Sequence, residues 1–184
     1  MGTVALAARE FGIPVDHLWA SEKCKKTRHL LEAVLGDEVK IYHDMTKRKL
    51  HRTKTPDCYV AGFPCQPFSA AGRNRGMRDT RSHVALHVLE TIIKLRPRAF
   101  LLENVRNLMG KHKMFSELIV DLLSNSYKIN HKVVNSLDFG LPQNRPRIYI
   151  TGVRKDSDFH AFQWPRAAPA AADPNDFLDP PPGP

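Results

Sequence analysis

A chain of 184 residues, 42% hydrophobic and 26% charged, has the balance of one globular domain with room for a real core, which excludes a disordered or fibrous polymer. No apolar run approaches the roughly 18 residues of a spanning helix, and no signal-peptide pattern opens the chain, so a membrane is not among the expected partners. The net charge is +9 with an isoelectric point near 9.7, an excess that suits a phosphate-bearing partner.

In chain order, VALAAREFG (4–12) has helical composition and ends on a glycine suited to the position after a helix. HLWAS (17–21) is short and apolar enough for a buried strand. Ser21 is a candidate N-cap for a helix over 22–35, which Gly36 would stop. VKIYH (39–43) and CYVAG (58–62) read as further strands, and a helix follows over 83–95, halted by the proline of RPRAF. AFLLE (99–103) is an apolar strand ending on a carboxylate. Phe115, Leu118, Ile119, Leu122 and Leu123 recur at helical spacing and predict a helix over 114–124. YKINHKVVN (127–135) alternates weakly and is expected as an antiparallel strand, and RIYITGV (147–153) as another strand. Strands alternating with helices predict a three-layer α/β domain over 1–165, built on a mostly parallel sheet. Residues 166–184, rich in Ala, Pro and Asp, are expected to be a disordered tail or linker.

Three widely spaced cysteines, Cys24, Cys58 and Cys65, make neither a disulfide framework nor a zinc site. No metal is therefore expected, and a reducing, intracellular setting is. Basic residues cluster at Lys23, Lys25, Lys26 and Arg28, and again at Lys47, Arg48, Lys49, Arg52 and Lys54. A third cluster, Arg73, Arg75, Arg78 and Arg81, follows the stretch VAGFPCQPFS (60–69). A solvated basic face is the plain alternative to nucleic-acid binding.

Pro64 and Pro67 lock the backbone on both sides of Cys65, and Phe63 and Gln66, which precede them, are pushed toward extended geometry. A stiff loop after a strand is where open α/β sheets place their chemistry. Taken alone, Cys65 reads as a quiet thiol. Two companions change that reading. LLENVRNL places Glu103 and Asn104 beyond the end of a buried strand, and FGLPQNRPRIYI puts Gln143, Arg145 and Arg147 at the mouth of the last one. A helix cap for Glu103 and surface ion pairs for the arginines are the alternatives.

These three segments resemble the DNA cytosine-5 methyltransferase family. GFPCQPFSAAGRNRG is similar to its nucleophile loop, ENVRNL to its Glu-Asn-Val motif and QNRPR to its Gln-x-Arg-x-Arg motif, in the family's order. ASEKC around Glu22 resembles the segment whose acidic residue holds the cofactor ribose, and HDMT around Asp44 the segment near the adenine. The resemblance covers roughly 2–165. It implies an S-adenosylmethionine-dependent, Rossmann-like methyltransferase fold acting on a cytosine flipped out of duplex DNA. Cys65 would add to C6 of the base as covalent catalyst, because C5 by itself is a poor nucleophile. Glu103 would bond the base N3 and exocyclic amine, a role that requires the carboxyl to carry or share a proton. Arg145 and Arg147 would contact the base or its phosphate or brace the loop, with Pro64, Gln66, Asn104 and Gln143 in support. Gly2, Glu22, Asp44 and Pro64 would line the cofactor, and Arg73, Arg75, Arg78 and Arg81 the phosphates of the substrate strand.

The chain also departs from the family pattern. Its first strand and the leading glycines of its Phe-x-Gly-x-Gly loop have no counterpart, and Gly2 matches only the last of them. RSHV (81–84) stands where an Arg-Gly-x-Leu is common, and after QWP (163–165) no target-recognition region follows. The expectation is a catalytic domain incomplete at both ends, nuclear if eukaryotic, with a second chain as a candidate source of the rest. An RNA cytosine-5 methyltransferase and a noncatalytic or split-enzyme module that binds nucleic acid or a partner chain are the alternatives.

Overall fold

The computed structural model describes residues 3–36, 38–64, 80–108, 113–157 and 162–168. Helix α1 (Thr3–Glu10) closes on Gly12, whose φ of 64° is the left-handed turn a glycine takes without strain. Strand β1 (Trp19–Ser21) leads to helix α2 (Lys25–Leu35) and on to strand β2 (Lys40–Tyr42). β1 and β2 pair in parallel, with Trp19 opposite Lys40 and Ser21 opposite Tyr42. Ala5 of α1 and Leu31 and Leu35 of α2 bury one side of this small sheet against Ala20, Val39 and Ile41.

The predicted cap at Ser21 is not formed. The Glu22 amide donates to the Tyr42 carbonyl at 3.0 Å, so the β ladder runs one residue past Ser21, and residues 22–24 are not helical. Ser21 instead accepts from Arg48 Nη1 at 3.2 Å, and α2 starts after Cys24, whose side chain makes no capping bond. Gly36 does end the helix, at a φ of 86°.

The larger sheet has the order β3-β4-β6-β5, from β3 (Cys58–Gly62), β4 (Ala99–Val105), β5 (Tyr127–Asn135) and β6 (Pro146–Arg154). Helix α3 (Thr80–Leu95) carries the chain from β3 to β4, and those strands are parallel. β6 lies between β4 and β5, antiparallel to both, so the described sheets are mixed rather than mostly parallel. The cause is the short link from Asn135 to Pro146, which suits a hairpin, whereas a parallel return needs a crossover of a dozen residues or more.

Helices α3 and α4 (Lys113–Leu123) cover one face of this sheet. Val88, Leu89 and Ile92 of α3 and Ile119 and Leu123 of α4 join Tyr59, Phe100, Leu102, Ile148 and Ile150 in the main core. Phe100 lies over Gly152, its partner across the ladder, and stacks edge-on against Tyr127 with centroids 5.2 Å apart. The Tyr127 hydroxyl donates to the Pro97 carbonyl at 2.9 Å, so this buried tyrosine is satisfied. On the opposite face, Phe162 and Trp164 help enclose an apolar cavity of about 470 Å³ against Leu101, Thr151 and Val153. Ala168, inside the stretch expected as a tail, donates its amide to the Asp138 carbonyl at 3.0 Å.

β1 and β3 each have one edge without a ladder partner among the described residues. Side chains tie the two sheets together instead. The Trp19 ring packs on Tyr59 with centroids 5.8 Å apart, and its indole N–H donates to the Lys54 carbonyl at 2.9 Å.

Candidate active site

Strand alternation divides the carboxyl end of β4 between two faces. Glu103 stands opposite Gly62 of β3 on one side and Tyr149 of β6 on the other, while Asn104 points into the core and is 4% exposed. Glu103 and Arg147 are diagonal neighbours, because Arg147 faces Val105, two residues along β4. Arg147 Nε lies 3.0 Å from Glu103 Oε1, and the two side chains are 22% and 34% exposed. A carboxylate and a guanidinium therefore meet at the strand ends while both stay open to solvent. Gly62 makes room for them: a Cβ there would sit 3.2 Å from Glu103 Oε2.

Asn104 connects this pair to the segment before Cys65. Its amide Nδ2 donates to the Phe63 carbonyl at 2.9 Å, and its Oδ1 accepts from the Val105 amide at 2.8 Å. Both ends of the side chain are used, which satisfies a buried polar group. Phe63 is itself buried at 6% exposure, so the chain leaves β3 along a held path and emerges at the exposed Pro64.

Glu22 and Asp44 form a second acidic pair. They follow the adjacent parallel strands β1 and β2 and so leave the small sheet at the same edge. Glu22 Oε1 accepts from the Cys24 amide at 2.8 Å, and Asp44 Oδ1 accepts from the Thr46 amide and hydroxyl at 2.9 and 2.7 Å. The hydrogen bonds from Thr46, the hydroxyl's first, hold the Asp44 carboxyl below the usual aspartate range. Each carboxylate keeps one oxygen clear of these bonds, an arrangement able to accept from ligand hydroxyls or an amine.

Arg145 and Arg147 line one small cavity of about 210 Å³ with Ser136 and Tyr149. Gln143 and Arg145 are exposed, and their backbone amides are the anchored parts: Gln143 donates to the Leu141 carbonyl at 2.7 Å and Arg145 to Asn135 Oδ1 at 2.9 Å. Asn135 also bonds Asn144 through its Nδ2 at 3.0 Å, so it shapes the whole link that delivers Arg145 and Arg147. Sequence reasoning passed over both Asn135 and Gly62. An asparagine closing a strand and a glycine inside one are the signals for such a turn and such a close approach. Cys65, Gln66, Gly2, Arg73, Arg75 and Arg78 lie outside the described residues. Arg81 falls in the first turn of α3, and its side chain is likewise outside them.

Comparison with known proteins accords with this geometry. The sequence model described as C-5 cytosine-specific DNA methylase matches residues 1–177. The chain is 36% identical over 162 residues to the Type II methyltransferase M.NgoBI of Neisseria gonorrhoeae, covering 87% of this chain and 50% of that protein. It is 34% identical over 176 residues to M.NlaX of Neisseria lactamica, covering 94% of this chain and 56% of the relative. The chain thus spans about half the length of these relatives. The crystal structure of the S. pombe Dnmt2 methyltransferase shares the fold, with a TM-score of 0.70 at 20% identity over 89% of this chain and 50% of that one. No helix among the described residues is long and apolar enough to cross a membrane. With its motif-bearing segments in order and the family's pattern matched along nearly its whole length, the chain belongs to the C-5 cytosine-specific DNA methylase family.

Proposed function

We propose that this chain carries the chemical centre for methylation of C5 of cytosine in duplex DNA, with S-adenosylmethionine as methyl donor. The observation that carries the reading is the junction of Glu103, Arg147 and Asn104: an ion pair at the strand ends and, behind it, a buried amide fixed to Phe63, two residues before Cys65. The donor set fits the cofactor as well, since Glu22 and Asp44 leave adjacent parallel strands at one edge and could accept from ribose hydroxyls and the adenine amine. Bound S-adenosylmethionine supplies an electrophilic methyl group.

The chain's own residues prepare the base to receive it. The Cys65 thiolate adds to C6 of the flipped cytosine and makes C5 nucleophilic. Glu103 holds the N3 and exocyclic-amine edge, and Arg147 orients that carboxyl and faces the base or its phosphate. Once C5 is substituted, its proton leaves, the S–C6 bond breaks and Cys65 is released. In this reading Pro64, Gln66, Gln143 and Arg145 would support the site, and Arg73, Arg75, Arg78 and Arg81 would bind the substrate phosphates.

The unpaired edges of β1 and β3 favour one addition to this reading. A strand supplied by further sequence or by a second polypeptide, and laid between them, would join the two sheets into one and support the cofactor edge.

The test is incubation with S-adenosylmethionine and duplex DNA carrying 5-fluorocytosine. Fluorine at C5 blocks the final elimination, so a denaturation-resistant protein–DNA adduct is expected, and Cys65→Ser should abolish it. A folded chain that forms no adduct with DNA overturns independent catalysis. An adduct formed with fluorinated RNA in place of DNA overturns the choice of substrate.

A further inference from the structure

Arg147 is aimed by the backbone just before it. Its Nη1 donates to the Pro146 carbonyl at 2.9 Å and its Nε lies 3.0 Å from Glu103 Oε1, so the guanidinium turns with the Pro146 peptide. Pro146 opens β6 and carries no N–H, so it can donate nothing to Asn135, its partner at the end of β5. Arg145 precedes that proline and is held toward extended geometry. Its amide supplies the tie that Pro146 cannot: it donates to Asn135 Oδ1 at 2.9 Å.

The same oxygen serves the other end of the link. Asn135 Oδ1 accepts from the Leu137 amide at 3.5 Å, the capping contact of the 3-10 turn Ser136–Phe139. That turn closes on Gly140, whose φ of 80° is left-handed. A single side-chain atom thus gathers the entry and the exit of residues 136–145, while Nδ2 is spent on Asn144 Oδ1 at 3.0 Å. These bonds are open to solvent, so their worth to folding is small. Their leverage is directional. A continuous path runs from Asn135 Oδ1 through the Arg145 amide and the Pro146 carbonyl to Arg147, and on to Glu103.

We infer that Asn135 is a positioning residue, whose side-chain oxygen sets the direction from which Arg147 meets Glu103. The inference rests on the reaction proposed above, in which that pair holds the base. A misplacement of about 1 Å at a reacting centre can cost about 10²-fold in rate. Loss of the Arg145 tie leaves the Arg147 side chain and the rest of the ladder in place, so a smaller loss, about tenfold, is expected.

Adduct formation on 5-fluorocytosine DNA, followed at saturating DNA and at a temperature where every variant is folded, tests the assignment. Asn135→Ala should slow it about tenfold with little change in DNA affinity or urea midpoint. Asn135→Asp keeps an acceptor for the Arg145 amide and should restore most of the rate. Asn144→Ala, which removes only the other bond, should cost far less than Asn135→Ala. In an Arg147→Ala chain, Asn135→Ala should slow the reaction no further, because it acts through a side chain already gone. A parent rate in Asn135→Ala, an Asp variant as slow as the Ala variant, or full slowing on top of Arg147→Ala would overturn the assignment. The Arg147 Nε–H resonance of ¹⁵N-labelled chain reads the same geometry without any reaction. It should move in Asn135→Ala and return toward the parent position in Asn135→Asp; an unmoved resonance overturns the inference even if adducts form. A parent that forms no adduct while this resonance moves as expected upholds the positioning and sinks only the reaction proposed for the pair.

Discussion

Arg147 Nε and Glu103 Oε1 meet at 3.0 Å across the β4–β6 ladder, as diagonal neighbours rather than as directly opposed residues. The pair is partly exposed, so its worth to folding is at most about 1 kcal/mol. Under the proposed function its worth to chemistry is larger, since each group would orient the other against the base. Glu103→Gln and Arg147→Ala should each slow adduct formation on 5-fluorocytosine DNA by about 10² or more, with little change in the urea midpoint. The double variant should be little worse than either single one, because residues that act as a unit are not additive. Rates that multiply in the double variant would show two independent roles.

Asn104 is the opposite case, a buried side chain whose value begins with structure. Asn104→Ala removes the Nδ2 donor to the Phe63 carbonyl and the acceptor of the Val105 amide, and should cost about 1–3 kcal/mol in urea denaturation. Asn104→Asp should cost more, because a carboxylate oxygen would then face that carbonyl. At a temperature where the Ala variant is fully folded, its adduct formation should still be slower than the parent's. Equal rates would mean that the path from Phe63 to Cys65 is held by something else.

The strands AFLLE, YKINHKVVN and RIYITGV were legible from their apolar runs and weak alternation, but β4 continues through Glu103 and Asn104 to Val105, because both residues still pair with β6 where a strand end was expected. Gly36 announced the end of α2 for a local reason, a backbone angle that glycine accepts. The insertion of β6 between β4 and β5 was not legible, because strand order is set by packing across the sheet and leaves no mark on either strand alone. Ser21 misled because a good cap residue lost its place to a ladder bond from Glu22. Arg48 read as one more surface cation, since sequence cannot show that Trp19 and Thr91 would close over it.

Two strand glycines should respond in opposite ways to the same substitution. At Gly62 an added Cβ meets only Glu103 Oε2, the far end of a flexible side chain, at 3.2 Å. Gly62→Ala should therefore fold with a stability change below about 1 kcal/mol while slowing adduct formation. At Gly152 an added Cβ would fall within the Phe100 ring, in the middle of the core. Gly152→Ala should destabilise by about 1–3 kcal/mol or more, and Phe100→Leu in the same chain should recover part of the loss. Thermal midpoints of the four chains decide the point; a Gly152→Ala variant as stable as the parent would refute the packing of Phe100 on that strand.

Asp44 gives the pH dependence its sign. Hydrogen bonds from Thr46 hold its carboxyl below the usual range in the folded chain, so the folded state binds that proton less readily than the unfolded chain, whose aspartate titrates near about 3.9. The stabilising contribution is present above that unfolded value and is lost as pH falls through the lower folded value. The difference in urea midpoint between the parent and Asp44→Ala should hold steady from pH 7 to pH 5 and shrink as pH falls below about 4. Thr46→Val, which removes the hydroxyl donor but leaves the amide, should reduce that difference without abolishing its pH dependence. A parent–Ala difference that stays constant down to pH 3 would mean that Asp44 is not held by Thr46 in solution.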